Sequence, residues 1–188
     1  MSESKVFDPQ LVEQVLHSET VFQGRFLKVT RDQVKTPDGQ ISHREYIRHP
    51  GAAVILPVLE DGRVVLIRQY RHAVKKVFWE IPAGKRDLNE DPLKTAHREL
   101  SEETGYEAGT MTPMTVIYPV IGYADEEMFL YLAQNLKPGK QRLDPGENLN
   151  VQILTWAEVW SLIQKGEISD VKTLIAFFWF HNFLQKGS

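Results

Sequence analysis

GKRDLNEDPLKTAHRELSEETGY, residues 84–106, carries a helix with clear punctuation at both ends. Asp91 is placed to cap it, Pro92 suits the first helical position, and Gly105 suits the left-handed position just past the end. At about 100° per residue, Leu93, Ala96, Leu100 and Thr104 share one stripe. Glu99 and Glu103 lie about 40° apart beside that stripe, and Glu102 about 60° further round from Glu99. Close carboxylates at i, i+3 and i+4 repel by roughly 0.2–0.5 kcal/mol per pair. They also occupy the helix end whose macrodipole, about −0.5 of a charge, favours cations. No Lys or Arg stands at i+4 to compensate, because those positions hold Glu103, Tyr106 and Glu107. Arg98 points away from the Glu99/Glu103 row on the helical wheel, so it orients a carboxylate at most and does not neutralise the row. A solvated acidic face is the plain alternative. The uncompensated crowding instead predicts a hard divalent cation, since Mg²⁺ and Mn²⁺ take carboxylate, water and phosphate oxygens.

The rest of the chain sets the frame. Its 188 residues suit one domain with an added element, or two small units, and 42% apolar content is enough for a real core. A net charge of −3 gives no overall basic field, so extended nucleic acid is not an expected partner. Without Cys there is no disulfide, thiol nucleophile or thiolate zinc site, and the His residues lack zinc-type spacing. MSESKVFDPQ lacks the basic-then-apolar plan of a signal peptide. The apolar run at 174–184 falls short of the ~20 residues of a membrane span. A cytoplasmic protein without membrane attachment is expected.

Residues 9–17 read as a short helix. FLKVTRDQV and ISHREYI, joined at Pro37-Asp38-Gly39, read as a β-hairpin. Alone in water such a hairpin is marginal, so it is expected to pack on the rest of the chain or on a second subunit. AAVILPVL and RVVLIRQY form a second hairpin with strands buried on both faces. VFWEIPAG runs a strand into a Gly loop ahead of the acidic helix. MTVIYPV, EEMFLYLA and, after a polar loop at 137–148, LNVQILTW are further strands. AEVWSLIQKGE and VKTLIAFFWFHNFLQ close the chain as helices. The order predicts an α/β fold with a mixed sheet between helices. Residues 1–48 form a helix-and-hairpin extension and residues 49–188 the main domain.

Residues 84–106 read G-x5-E-x7-R-E-L-x-E-E-x-G-Y, which resembles the Nudix box, G-x5-E-x7-R-E-U-x-E-E-x-G-U with U a bulky aliphatic residue. Tyr106 in the last U place is the one departure. The resemblance implies the Nudix α/β/α sandwich and hydrolysis, dependent on Mg²⁺ or Mn²⁺, of a nucleoside diphosphate linked to another moiety. From Glu19 to Phe183 the chain also resembles the ADP-ribose and nucleoside diphosphate sugar pyrophosphatases, through REYIRHPGAAVILP, LIRQYRHA, FWEIPAGK and YPVIGYADE. That branch implies a nucleotide-sugar substrate and a homodimer formed with the help of the N-terminal hairpin, each active site drawing on both subunits. Ile121 stands where ADP-ribose-specific members usually carry a second Pro after Tyr118-Pro119, which leaves room for a broader enzyme or a GDP-mannose hydrolase. A Nudix-fold sensor that binds without cleaving is the alternative from another class, and the intact box argues against it.

On the matched positions the resemblance implies Glu99 and Glu103 as metal-ligating side chains and Glu102 as a third metal or catalytic contributor. Ala83 would ligate metal through its carbonyl. Glu90 and Arg98 would form a structural pair, with Gly84 and Gly105 as the glycines of the motif. Arg71 and Arg44 match positions that bind the diphosphate or nucleoside, a task suited to the planar guanidinium fork. From the residues alone each is an ordinary strand-end Arg. Phe26 matches a position that faces the nucleobase, with core packing as the other reading. Glu80 is either a pocket carboxylate or a surface residue at a strand end. The catalytic base is expected on the loop before the last strand, where RLDPGENLNV offers Glu147 and Asp144, with Glu147 better aligned. Glu126 and Asp125 are candidate substrate or metal contacts.

Overall fold

The computed structural model describes residues 8–184. Most of the start on which the signal-peptide expectation rests, and the end of the last expected helix, lie outside these residues. The chain divides into two compact units, Met1–His49 with Val120–Asp125, and Pro50–Pro119 with Glu126–Ser188.

The first unit is a three-stranded antiparallel sheet in the order β1 (Gln14–Gln23), β2 (Lys28–Lys35), β3 (Ile41–Arg48). The short helix expected over 9–17 is not formed. A single 3₁₀ turn spans Pro9–Leu11, and β1 begins three residues after it, at Gln14. The reason is non-local: β1 pairs with β2 from Gln14↔Lys35 to Gln23↔Lys28, whereas an isolated helix shorter than ~12–15 residues is marginal. The expected two-stranded hairpin is thus a sheet of three strands, large enough to be stable when one face is covered. Its β2–β3 turn uses Gly39 at φ +87°, a conformation glycine adopts without strain. β1 is exposed along its whole length. The 120–125 segment joins this unit through Ile47 N–H, which donates to Tyr123 O at 2.9 Å.

The second unit holds two sheets. β7 (Ala83–Lys85), β4 (Ala52–Pro57), β9 (Met128–Pro138) and β8 (Tyr106–Ile117) form a mixed sheet in that order, with β4 parallel to β9. β10 (Leu149–Leu154), β5 (Val64–Arg71) and β6 (Lys76–Glu80) form an antiparallel one. Strand β4 explains the layering. Its alternate residues Ala53 and Ile55 pack with Ala96 and Leu100 of α1 (Pro92–Thr104). Val54 and Leu56 pack on the other side with Val159 of α2 (Trp156–Gln164) and Phe177 of α3 (Val171–Trp179). A strand buried on both faces needs the unbroken apolar run AAVILP, since successive side chains point to opposite faces. Fully burying a side chain such as Phe177 contributes about 1.5–3 kcal/mol. Among the described residues no helix is long and apolar enough to cross a membrane.

Candidate active site

Helix α1 begins and ends as its sequence dictates. Asp91 accepts from Leu93 N at 2.9 Å, and Gly105 closes the helix at φ +75°. A side chain at 105 would meet Gln141 N at 2.8 Å, so the loop beyond β9 crosses close to this cap. The loop satisfies carbonyls that the helix end leaves over: Arg142 N donates to Glu102 O at 2.9 Å, and Gln141 Nε2 to Glu103 O at 2.7 Å. Loop donors therefore cover the negative pole of the helix. The same loop carries Glu147, whose charge raises the pKa of both Glu99 and Glu103.

The carboxylates divide into compensated and uncompensated. Arg98 Nη1 donates to Glu99 Oε1 at 2.7 Å and to Glu102 Oε2 at 3.0 Å. This corrects the helical-wheel expectation: the Cα–Cβ direction turns away from the row, but the long side chain folds back to neutralise two of its neighbours. It does not serve Glu103. That residue is 2% exposed and, among the described residues, its carboxylate accepts from Ala83 N at 2.9 Å. Burial, followed by the Glu99 and Glu147 charges, outweighs this bond and pushes its pKa up to about 8. Burial likewise pushes Glu99 up to about 7, against the pull of Arg98.

Gly84 explains itself at this site. A Cβ at 84 would fall 1.9 Å from Glu99 Cδ and 2.0 Å from its Oε1. The carboxylate lies on the bare backbone of β7, where only glycine leaves room. Glu90 is the anchor of the loop ahead of α1: it accepts from Arg98 Nη2 at 3.0 Å, Thr95 Oγ1 at 2.8 Å and Asp87 N at 3.1 Å. The Arg98 hydrogen bond pulls its pKa down to about 2. The expected Glu90–Arg98 pairing is thus seen in the geometry.

On the neighbouring sheet, Glu80 is 2% exposed, which excludes the surface reading. It receives a two-point contact from Arg71, Nε to Oε1 at 2.8 Å and Nη2 to Oε2 at 2.6 Å. Lys172 Nζ bonds the same Oε2 and also Asp170 Oδ2, the latter at 2.9 Å. Burial pushes Glu80 up, but the two cations more than offset it and hold the group below the usual range. Asp170 caps α3 through Thr173 N at 3.1 Å, and Thr173 Oγ1 accepts from Ile81 N at 3.0 Å. The residues that fix the 80–83 loop therefore include three that sequence reasoning passed over: Asp170, Lys172 and Thr173. The lone Lys in the first turn of an otherwise apolar helix was the signal available. Gln69 was missed too. It shares the Arg71 face of β5 by alternation, and its buried Oε1 has no hydrogen-bond partner among the described residues.

Of the remaining candidates, Arg44, Phe26 and Asp125 belong to the first unit. Arg44, on β3, bonds Glu13 through Nε at 3.0 Å and Ser42 Oγ at 2.9 Å. Phe26 is 62% exposed, with its ring edge-on to His49 at 6.2 Å, so core packing is excluded for it. Asp125 accepts from Arg48 Nη1 at 2.9 Å and His49 N at 2.7 Å, which ties it within the first unit and leaves its expected contact with metal or substrate without geometric support. Glu126 is half-buried ahead of β9 and Asp144 is exposed.

Among the described residues no three His, Asp or Glu side chains stand together as a preformed metal cage. Mg²⁺ does not demand one, because it is usually held by one or two carboxylates with waters and substrate phosphates completing the shell. The donor set fits such an ion: two crowded, partly desolvated carboxylates, Glu99 and Glu103, with a bare glycine backbone beside them.

Two family models match the chain: the NUDIX domain over residues 47–177 and the nucleoside diphosphate sugar hydrolase N-terminal domain over residues 13–47. The chain is 36% identical over 168 residues to an ADP-ribose pyrophosphatase of Bacillus subtilis, covering 88% of this chain and 91% of that one. It is 40% identical over 166 residues to a methanol dehydrogenase activator of Bacillus methanolicus, covering 87% and 90%. A crystal structure of an ADP compounds hydrolase superposes with a TM-score of 0.83 at 24% identity, over 93% of this chain and 95% of that one, a likeness of fold.

Proposed function

The chain belongs to the NUDIX family as a Nudix pyrophosphohydrolase, and from that premise we propose that it cleaves the diphosphate bond of nucleoside diphosphate sugars, ADP-ribose among them. The products are a nucleoside monophosphate and a sugar phosphate. Nudix hydrolases generally use a divalent metal; here the ion is Mg²⁺, with Mn²⁺ as a substitute. The observation that carries the reading is the meeting of Glu99 and Glu103 with the glycine edge of β7, in the unit where Glu80 holds Arg71.

In this mechanism Glu99 and Glu103 would hold the ion, Glu102 would contribute directly or through water, and Ala83 would offer its carbonyl. When bound, the ion supplies charge neutralisation of the diphosphate and activation of water. Arg71 pairs with diphosphate oxygens through the part of its guanidinium directed away from Glu80. Glu147 orients a water in line with the scissile P–O bond and takes its proton as the new P–O bond forms and the bridging P–O bond breaks. Phe26 and Arg44 contact the nucleoside, and Glu126 the substrate. Positioning and charge stabilisation carry most of the rate enhancement, as in phosphoryl transfer generally.

We infer a homodimer, supported by β1, exposed throughout, with Val15, Leu16 and Phe22 each more than 40% exposed. Small nucleotide-sugar substrates fit a cytoplasmic location and call for neither membrane nor nucleic acid. One residue favours a second reading of specificity: Ile121, 82% exposed, replaces the Pro usual in ADP-ribose-specific relatives and is consistent with GDP-mannose as the preferred sugar. Assaying ADP-ribose, GDP-mannose and UDP- and ADP-glucose for phosphate-monoester release, with Mg²⁺ and with EDTA, tests both readings. Binding without cleavage across the whole panel would leave a sensor instead.

A further inference from the structure

We propose that Lys172, at the start of α3, is a positioning residue for Arg71, acting through Glu80. The inference rests on the diphosphate reading above. Lys is almost never fully buried unless paired, yet Lys172 is 6% exposed and its ammonium bonds both Glu80 and Asp170. The chain of charges runs from the protein interior outward. Lys172 and Glu80 have side chains 7% and 2% exposed, Asp170 19%, while Arg71 is 44% exposed and alone opens substantially to solvent.

The sharing of one carboxylate oxygen gives this arrangement a purpose. Arg71 grips Glu80 at two points, which fixes its plane. Lys172 shares the Glu80 oxygen that Arg71 Nη2 uses, so one carboxylate serves two cations. The carboxylate that grips Arg71 is thereby held from both sides, and Arg71 keeps its plane while its Nη1, which takes no part in the Glu80 pair, remains for a diphosphate. Asp170 balances the second cation, and its other bonds, to Thr173 N and Thr173 Oγ1, keep it in place. A purely fold-stabilising ion pair would not require the exposed Arg71 to be its outer member.

The test is a double-mutant cycle between Lys172 and Glu80, read by steady-state kinetics on the best nucleotide sugar of the panel with Mg²⁺. Lys172→Met should raise KM about tenfold with kcat within about twofold, the pattern of lost ground-state binding. Lys172→Arg should restore most of it. In the Glu80→Gln background, Lys172→Met should change KM by less than about twofold, because the partner through which it acts is gone. Additive effects in the cycle, or an unchanged KM in Lys172→Met, would overturn the proposal. Should Lys172→Met not fold, Lys172→Gln takes its place; its neutral amide is a weaker donor to Glu80, so KM should rise less, about threefold, and that rise should vanish in the Glu80→Gln background. A wild-type protein that cleaves no nucleotide sugar would sink the diphosphate reading and this proposal together, whereas an active wild type with an additive cycle sinks this one alone.

Discussion

The carboxylate of Glu99 occupies the space that a side chain on Gly84 would take, with a methyl group at 84 falling 1.9 Å from Glu99 Cδ. Gly84→Ala must therefore displace Glu99. Gly84 does not have a positive φ, so the backbone accepts alanine. A displacement of about 1 Å in a catalytic group costs on the order of 100-fold in activity, and that fall in kcat/KM is expected here with far-UV circular dichroism unchanged. Turnover close to wild type would mean that Glu99 is not needed where it stands.

Glu103→Gln keeps an acceptor for Ala83 N–H but removes the buried charge. Turnover should fall by orders of magnitude while the metal-free protein becomes more stable. The sign follows from a folded-state pKa of about 8 against an ordinary value of 4.5. Protonated Glu103 is favoured by folding, so its stabilising contribution is complete below pH 4.5 and is lost as pH rises through 8. In EDTA the variant should thus match wild type near pH 4.5 and exceed its Tm by on the order of 10 °C at pH 8. Thermal melts across that range check it, and a Tm gap that does not grow with pH would contradict the burial of an uncompensated carboxylate.

Glu90 has the opposite dependence. Arg98 pulls its pKa down to about 2, so its contribution is present above 4.5 and lost as pH falls through 2. Glu90→Gln should cost about 1–2 kcal/mol at pH 7 by weakening charge-assisted hydrogen bonds. Urea melts should show the difference shrinking below pH 4.5. A constant difference would assign the loss to packing instead.

The exposed apolar residues of β1 lead to a prediction about assembly. Wild-type protein should sediment as a dimer, and Leu16→Asp combined with Phe22→Asp should give a monomer with little activity. A wild-type monomer that is fully active would remove the dimer from the mechanism.

The parts of the fold that were legible in the sequence are the locally encoded ones. Asp91, Pro92 and Gly105 bound α1 through backbone chemistry within a few residues, and AAVILP announces a strand covered on both faces. The start of β1, residues 14–17, was misread as helical because its strand state depends on hydrogen bonds to β2, which no local pattern around Val15 and Leu16 reveals. At the candidate site, the box spacing pointed to Glu99, Glu103 and Gly84, and to the Glu90–Arg98 pair. It did not reveal that Arg98 folds back onto Glu99 and Glu102, because a helical wheel gives Cβ directions and not the reach of a long side chain. Nor did it reveal Lys172, which meets Glu80 across 92 positions of chain only because α3 packs beside the end of β6.

Phosphorus NMR of the wild-type protein with ADP-ribose, followed with Mg²⁺, with EDTA and with Glu103→Gln, bears most directly on the role of the acidic end of α1. The diphosphate resonances should give way to two monoester resonances, those of AMP and ribose 5-phosphate, in the wild type with Mg²⁺ and in neither of the other two. Diphosphate that stays intact with Mg²⁺ for ADP-ribose and every other nucleotide sugar of the panel, or monoesters forming as fast in Glu103→Gln, would contradict it.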